Sequence, residues 1–291
     1  MSARSSRSVF VEAGGIRLHA VVDEGRADDT RRAQSGAPRP DILVLHGFTG
    51  AAESMACVAQ RLSPWARVVR LELVGHGESE APRELAPYAM EACATQIAEA
   101  AHGLGLTRPY LLGYSMGGRA ALAAALAQPN AFAGLVLVGA TVGIADPKAR
   151  AERVASDRAL ADSIEQGGLE GFVDAWMAQP LFASQARLGR EALERARRQR
   201  LSNRPDALAN SLRGMGAGAQ APLHDQLARY PGPVLLVVGE EDAKFRAIAQ
   251  DLARSLPGAQ VERIAAAGHA AHLEAPDRFA AVVRAFVGGS A

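Results

Sequence analysis

Three residues in this 291-residue chain stand where proton or acyl transfer would need them, each just beyond a short run that reads as a strand. Ser115 lies in Gly113-Tyr114-Ser115-Met116-Gly117, after the run that ends at Tyr114. Asp242 closes Gly239-Glu240-Glu241-Asp242 after Val234 to Val238, and His269 follows Gly268 after Val261 to Ile264. A serine hydroxyl is a poor base and nucleophile until an imidazole takes its proton, and the imidazole needs a carboxylate to hold its tautomer. Gly-x-Ser-x-Gly between a strand and a helix is the pattern of a nucleophile elbow, and the chain order is serine, acid, histidine. Asp242 is favoured over Glu240 and Glu241 because its short side chain sits farthest into the loop; the two glutamates read as solvated or helix-capping. His272, beside Leu273, and His76, in a glycine-bounded turn, read as structural.

A developing negative charge needs donors. His46-Gly47-Phe48-Thr49-Gly50 follows the apolar run Ile42 to Leu45, and such a loop can aim backbone N–H groups at an anion. The Phe48 and Met116 amides are the expected oxyanion hole, against the alternative of an ordinary strand-to-helix turn.

The elements that must position these groups alternate. Strands are expected over Val9 to Ala13 and Ile16 to Val22 as a hairpin, then Ile42 to Leu45, Arg67 to Leu71, Tyr110 to Tyr114, Leu135 to Val138, Val234 to Val238 and Val261 to Ile264. Helices fall between most of them, including Pro87 to Leu104, Gly117 to Ala127, Phe245 to Leu256 and Asp277 to Val287. That pattern implies an α/β fold, a mostly parallel sheet with helices on both faces, with ligands bound beyond the C-terminal strand ends. From about Ile144 to Gln220 no strand interrupts the helices. Five are expected: one from Asp146-Pro147, one over Asp157 to Gln166, one over Gly171 to Met177, one over Leu188 to Leu201 and one over Pro205 to Leu212. The division is therefore a core of 9–143 and 221–289, an inserted helical lid of 144–220, and a flexible tail and loop at 1–8 and 23–40.

A formal net charge of +1 gives no electrostatic case for nucleic acid or a membrane surface. Cys57 and Cys93 have no metal or redox spacing, no apolar run approaches a membrane span, and the first residues lack an export signal. No cofactor and no metal is implied, and the default location is cytoplasmic.

The quoted motifs, with Gly118-Arg119, Phe172-Val173-Asp174-Ala175-Trp176, Pro180-Leu181-Phe182-Ala183-Ser184-Gln185 and Ser211-Leu212-Arg213-Gly214-Met215-Gly216, resemble a branch of the α/β-hydrolase superfamily. That branch is the 2-succinyl-6-hydroxy-2,4-cyclohexadiene-1-carboxylate (SHCHC) synthase family of menaquinone biosynthesis, and the resemblance covers roughly residues 9 to 289. It implies a lyase. Pyruvate would leave 2-succinyl-5-enolpyruvyl-6-hydroxy-3-cyclohexene-1-carboxylate after the triad removes the ring proton next to the succinyl ketone. The partner would be a small tricarboxylate anion, with the protein a monomer or small homo-oligomer. Arg119, one helical turn past Ser115, is expected to face the same cleft. Arg153 and Arg200 match carboxylate-binding positions of the family, Tyr114 and Trp176 match site positions, and Lys244 lies close to one. Each has a structural alternative: Arg153 and Arg200 as solvated helix residues, and Trp176 as lid core. The chain departs from the family at Glu72 and Val74, where Asp and Pro are expected, at Ala140 to Gly143, which lacks a Ser and a Pro, and in the longer loop 23–40.

Two other readings stay open on the residues. One is a serine carboxylesterase or carbon–carbon bond hydrolase of the same fold, which needs fewer cations. The other is a non-catalytic ligand-binding protein, against which the complete triad argues.

Overall fold

The computed structural model describes residues 5–24 and 39–289. Eight strands form one sheet in the order β1-β2-β4-β3-β5-β6-β7-β8. β1 (Ser5–Ala13) and β2 (Ile16–Glu24) pair antiparallel, and β2 pairs antiparallel with β4 (Arg67–Leu71). All other pairings are parallel, through β3 (Asp41–Leu45), β5 (Tyr110–Tyr114), β6 (Gly134–Val138), β7 (Val234–Gly239) and β8 (Ala259–Ile264).

Beyond Asp41 at the start of β3, the central strands β3, β5, β6 and β7 carry no charged residue, because both faces are covered. Leu43, Leu45, Leu135, Leu137, Val234, Leu236 and Val238 point into one core. It is closed by α2 (Met90–Gly103), α3 (Met116–Ala127) and α8 (Ala243–Ser255). The intervening Ile42, Val44, Val136, Val138, Leu235 and Val237 point into the other, closed by α1 (Ala56–Leu62) and α10 (Pro276–Gly289). The two-residue period of a strand divides one apolar run between two cores.

Between β6 and β7 the chain leaves the sheet for α4 (Pro147–Gly167), α5 (Leu169–Met177), a 3₁₀ segment (Pro180–Leu188), α6 (Arg190–Leu201) and α7 (Pro205–Met215). Ala161, Ile164, Phe172, Val173, Leu208, Ala209 and Leu212 give this insertion its own buried cluster, against which Phe48 and Trp176 pack. The short α9 (Ala271–Glu274) follows β8.

Four expectations need correction. The two helices expected from Asp146 to Gln166 are one. Asp146 caps it by accepting the Ala149 N–H, no Gly or Pro interrupts Ala151 to Asp157, and Asp157 pairs with Arg153 one turn back instead of starting a helix. Of the expected tail 1–8, residues 5–8 belong to β1, because Ser5 to Ser8 register against Val21 to Glu24; residues 1–4 lie outside the described residues. Of the expected loop 23–40, Asp23 and Glu24 complete β2, where Asp23 also meets Arg70 in an ion pair; 25–38 lie outside the described residues. The stretch 188–201 is helical only from Arg190, since Gly189, at φ 82°, separates α6 from the 3₁₀ segment. No helix among the described residues is long and apolar enough to cross a membrane.

Candidate active site

Ser115 joins β5 to α3 with φ 52° and ψ −107°, a strained conformation for a residue with a Cβ. The turn is possible because the flanking residues have none. A Cβ on Gly113 would lie 2.3 Å from the Gly117 carbonyl oxygen, and one on Gly117 would lie 2.5 Å from that of Leu45. The elbow therefore projects the hydroxyl at the N-terminus of α3, where the helix dipole favours negative charge.

His269 comes to it from the loop after β8. Its Nε2 is 3.1 Å from Ser115 Oγ, and its Nδ1 is 2.9 Å from Asp242 Oδ2. The second oxygen of Asp242 accepts the Phe245 N–H at 3.2 Å, so the acid also caps α8. A carboxylate held by an amide and a ring N–H keeps the imidazole in the tautomer that leaves Nε2 free to accept a proton. The ring is fixed by Phe245 (4.4 Å between centroids) and Tyr114 (5.3 Å). Glu240 and Glu241 stay outside: both are exposed, and Glu241 pairs with Arg187.

Gly139, at φ 56°, closes the ring from the other side. A Cβ there would stand 2.8 Å from His269 Cε1 and 2.9 Å from Nδ1. Gly139→Ala is expected to displace the imidazole and cut triad-dependent turnover by about 100-fold, the cost of a misplacement near 1 Å. Comparing kcat with the thermal midpoint separates this from simple unfolding.

The loop that carries His269 is held by a residue sequence reading passed over. Glu274, its side chain 3% exposed, accepts the Gly268 N–H at 2.9 Å and the Ala270 N–H at 3.2 Å, the two amides flanking the histidine. Arg187 reaches Glu241 and the Ala266 carbonyl from the insertion and lies 3.5 Å from Glu274. Glu274→Ala leaves both amides without a partner and is expected to lower the thermal midpoint by roughly 5 °C; differential scanning calorimetry reads it. A six-residue separation between Gly268 and Glu274 carries no periodic signal that would have revealed this.

The Phe48 and Met116 amides donate no hydrogen bond among the described residues, which leaves both free for a ligand. His46 shapes the first of these loops: its Nδ1 donates to the Gly47 carbonyl at 2.8 Å and its Nε2 accepts the Leu73 N–H at 3.1 Å. Burial holds His46 below the usual histidine range. Glu72, the departure noted above, is buried. Its carboxylate accepts the Ala52 and Glu78 amides at 2.8 and 2.7 Å and meets His19 Nδ1 at 2.9 Å, tying the segment after β3 to the turn after β4. His76 and His272 are buried as expected of structural residues. Burial pushes both down to about 3, so they are neutral near neutral pH.

The expected cations separate into two groups. Arg119 is 8% exposed and already donates to Gln220 Oε1 at 2.7 Å and to the Met215 carbonyl at 2.8 Å. Burial, reinforced by Arg153, takes its pKa down to about 10. Arg153 donates to Asp157 at 2.8 Å with 43% of its side chain exposed. Arg200 lies apart, near Tyr114, and lines a cavity of about 880 Å³ with Gln185, Gln199 and Leu273. Among the described residues its side chain hydrogen-bonds only to the Ala196 carbonyl, and its buried Nε has no partner. Burial lowers its pKa.

Tyr114 is held between the triad and the core: its ring lies 4.4 Å from that of His272, and burial raises its hydroxyl well above the usual range. Trp176 packs edge-on to Phe48 (5.3 Å) and against Phe172 and Phe182 (5.8 Å each), so it joins the insertion's core to the loop after β3. Lys244 is exposed over the Phe245 ring at 5.7 Å, one ring removed from His269.

Residues 40–276 match the alpha/beta hydrolase fold family. A Bacillus subtilis (strain 168) protein provisionally named 2-succinyl-6-hydroxy-2,4-cyclohexadiene-1-carboxylate synthase is 39% identical over 274 residues, 94% of this chain and 95% of that protein. The synthase of that name from Serratia proteamaculans (strain 568) is 31% identical over 255 residues, 87% of this chain and 95% of its own length. The solved structure of MenH from S. aureus superposes with a TM-score of 0.86 at 29% identity, covering 93% of this chain and 98% of that one.

Proposed function

The chain belongs to the alpha/beta hydrolase fold family and, within it, to the 2-succinyl-6-hydroxy-2,4-cyclohexadiene-1-carboxylate synthases, and on that premise we propose that it is a lyase of menaquinone biosynthesis that eliminates pyruvate from 2-succinyl-5-enolpyruvyl-6-hydroxy-3-cyclohexene-1-carboxylate. The observation that carries the reading at the level of the site is a pairing: a serine–histidine–aspartate relay within hydrogen-bond distance, and beside Tyr114 a half-buried arginine that no acid among the described residues neutralises.

In this mechanism Ser115, with His269 as its proton acceptor, takes the ring proton next to the succinyl ketone. The C–H electron pair forms a new ring double bond, the existing double bond shifts by one carbon, and the C–O bond to the enolpyruvyl group breaks. Its oxygen leaves with the enolpyruvate, which takes up a proton and becomes pyruvate. The ketone oxygen bears the charge of the enolate while this happens, and the Phe48 and Met116 amides are set to donate to it. Donors fixed before the reaction lower the barrier because they need no reorganisation as charge develops. Asp242 stabilises the imidazolium that forms on His269.

Three carboxylates must be held while the ring reacts. Arg200 is the first anchor, Arg153 and Arg119 the second and third, with Lys244 at the outer edge. Arg119 meets a carboxylate with the donors left over from Gln220 and Met215. A planar guanidinium suits this work because it pairs bidentately with carboxylate. Residues 144–220 act as the lid that brings Arg153, Arg200 and Trp176 over Ser115. The reading assigns no cofactor; its partner is the small tricarboxylate, its location the cytoplasm, and its form a monomer or small homo-oligomer.

The test is direct. With substrate made in situ by the preceding enzyme, pyruvate and the diene absorbance should rise together in a one-to-one ratio. Pyruvate release no faster than the spontaneous reaction would overturn the lyase reading.

A further inference from the structure

The conformation of Thr49 needs an explanation that the reaction does not supply. It is the residue after Phe48, it is fully buried, and its φ is 66°. A β-branched residue there is a genuine outlier, and such strain persists only where the surroundings over-determine it. The surroundings are in the helical insertion. The Thr49 carbonyl accepts Asn203 Nδ2 at 2.9 Å and Gln199 Nε2 at 3.2 Å, across 154 and 150 residues of chain.

Asn203 is buried in the turn between α6 and α7, at 6% exposure. Its amide is spent on three bonds. One Nδ2 proton goes to Thr49, the other to the Arg200 carbonyl at 3.0 Å, and Oδ1 accepts the Gly77 N–H at 3.2 Å. The orientation of the amide is forced, because two neighbours are carbonyls and the third is an N–H donor. Aspartate would set acceptors against both carbonyls; serine or alanine would leave at least one group without a partner. Beneath the same two loops Glu72 makes a parallel link, from Ala52 on one to Glu78 on the other. The oxyanion loop and the turn at 75–79 are thus pinned from the core by Glu72 and from the insertion by Asn203.

We infer that Asn203 is a positioning residue that sets the oxyanion loop from the helical insertion, so that one turn of chain both presents Arg200 and aims the Phe48 amide. The inference rests on the reading above, in which Phe48 N–H is an oxyanion donor and Arg200 binds a carboxylate. Its consequence is that the oxyanion hole is complete only when the insertion is seated. Docking of Arg200 on the substrate and readiness of the Phe48 amide become one event, and an insertion displaced from the core frees Thr49 to relax.

The experiment measures pyruvate elimination by Asn203→Asp, Asn203→Ala and Gln199→Ala beside the unchanged protein, with the thermal midpoint of each. Turnover by the unchanged protein settles the underlying reading first, so its failure and the failure of the inference are distinct results. Asn203→Asp keeps the side-chain shape and the acceptor for Gly77 but loses both donors, and it carries the test should the alanine variant not fold. Both Asn203 variants are expected to lose about 30-fold or more in kcat, with KM within about threefold, as for a misaimed transition-state donor. Gln199→Ala, which leaves Asn203 on Thr49, is expected to lose about threefold or less. A purely structural role would lower the midpoint and leave kcat of the folded protein unchanged. Asn203→Asp that folds and turns over within about threefold of the unchanged protein would overturn the inference.

Discussion

Ser115→Ala is expected to lower kcat for pyruvate elimination by about three to four orders of magnitude and to change KM only a few-fold. The hydroxyl is the only group of the relay aimed beyond it. His269 Nε2 lies 3.1 Å behind Ser115 Oγ, and its ring is enclosed by Phe245, Tyr114 and the backbone at Gly139, so it cannot advance to replace the lost atom. On the proposed reading the carboxylates are held by arginines and not by Ser115, so substrate should bind as before and the loss should fall on kcat. The variant should have a thermal midpoint close to that of the unchanged protein, since alanine keeps the Cβ and with it the same backbone at φ 52°. Steady-state kinetics with a thermal scan read both effects. A variant that retained a tenth of the activity would remove Ser115 from the reaction.

Arg200→Ala should weaken kcat/KM for the tricarboxylate by roughly 100-fold, mostly through KM. Arg200 is half-buried; among the described residues its side chain is hydrogen-bonded only to a backbone carbonyl and its buried Nε is without a partner, so part of its desolvation has already been met and a carboxylate would supply the missing acceptor. Arg200→Lys should recover only part of the loss, because an ammonium offers no fork. Arg153→Ala should cost less, roughly tenfold or below, because that side chain is half exposed and already paired with Asp157. Turnover of a small neutral ester should be indifferent to all three. Equal losses on both substrates would mean that Arg200 shapes the site without binding an anion.

These expectations show what local chemistry makes visible in a sequence and what it hides. The central parallel strands were legible because a short apolar run has few other uses, and Ser115 and Asp242 stand out because each follows such a run; His269 follows β8, whose Glu262 and Arg263 break the apolar pattern, and is marked instead by Gly268 before it. The structure brings those three side chains into one hydrogen-bonded chain. The single helix over Pro147–Gly167 was not, since its polar surface and Asp157 mimic a second start, and the Arg153 contact that keeps Asp157 inside the helix is a tertiary outcome. Arg119 lies one helical turn past Ser115, but its commitment to Gln220 spans 101 residues and leaves no local trace. Asn203 and Glu274 were missed for the same reason: their partners are backbone groups of loops, and a backbone amide has no letter in the sequence. Glu72 gave a signal as a departure from the family pattern, and its meaning became clear only once its carboxylate was seen to bridge the loops at Ala52 and Glu78.

The same scaffold carries hydrolysis in other proteins. A thermophilic esterase from Thermogutta terrifontis superposes with a TM-score of 0.79 at 25% identity. The central claim is therefore best tested by offering one preparation both reactions and measuring kcat/KM for the enolpyruvyl tricarboxylate and for p-nitrophenyl acetate. Elimination faster than ester cleavage by about 10⁴-fold or more, lost in Ser115→Ala and weakened in Arg200→Ala, is the expected result. Ester cleavage that equals or exceeds elimination, and survives Arg200→Ala, would contradict the account and leave a hydrolase with a synthase's framework.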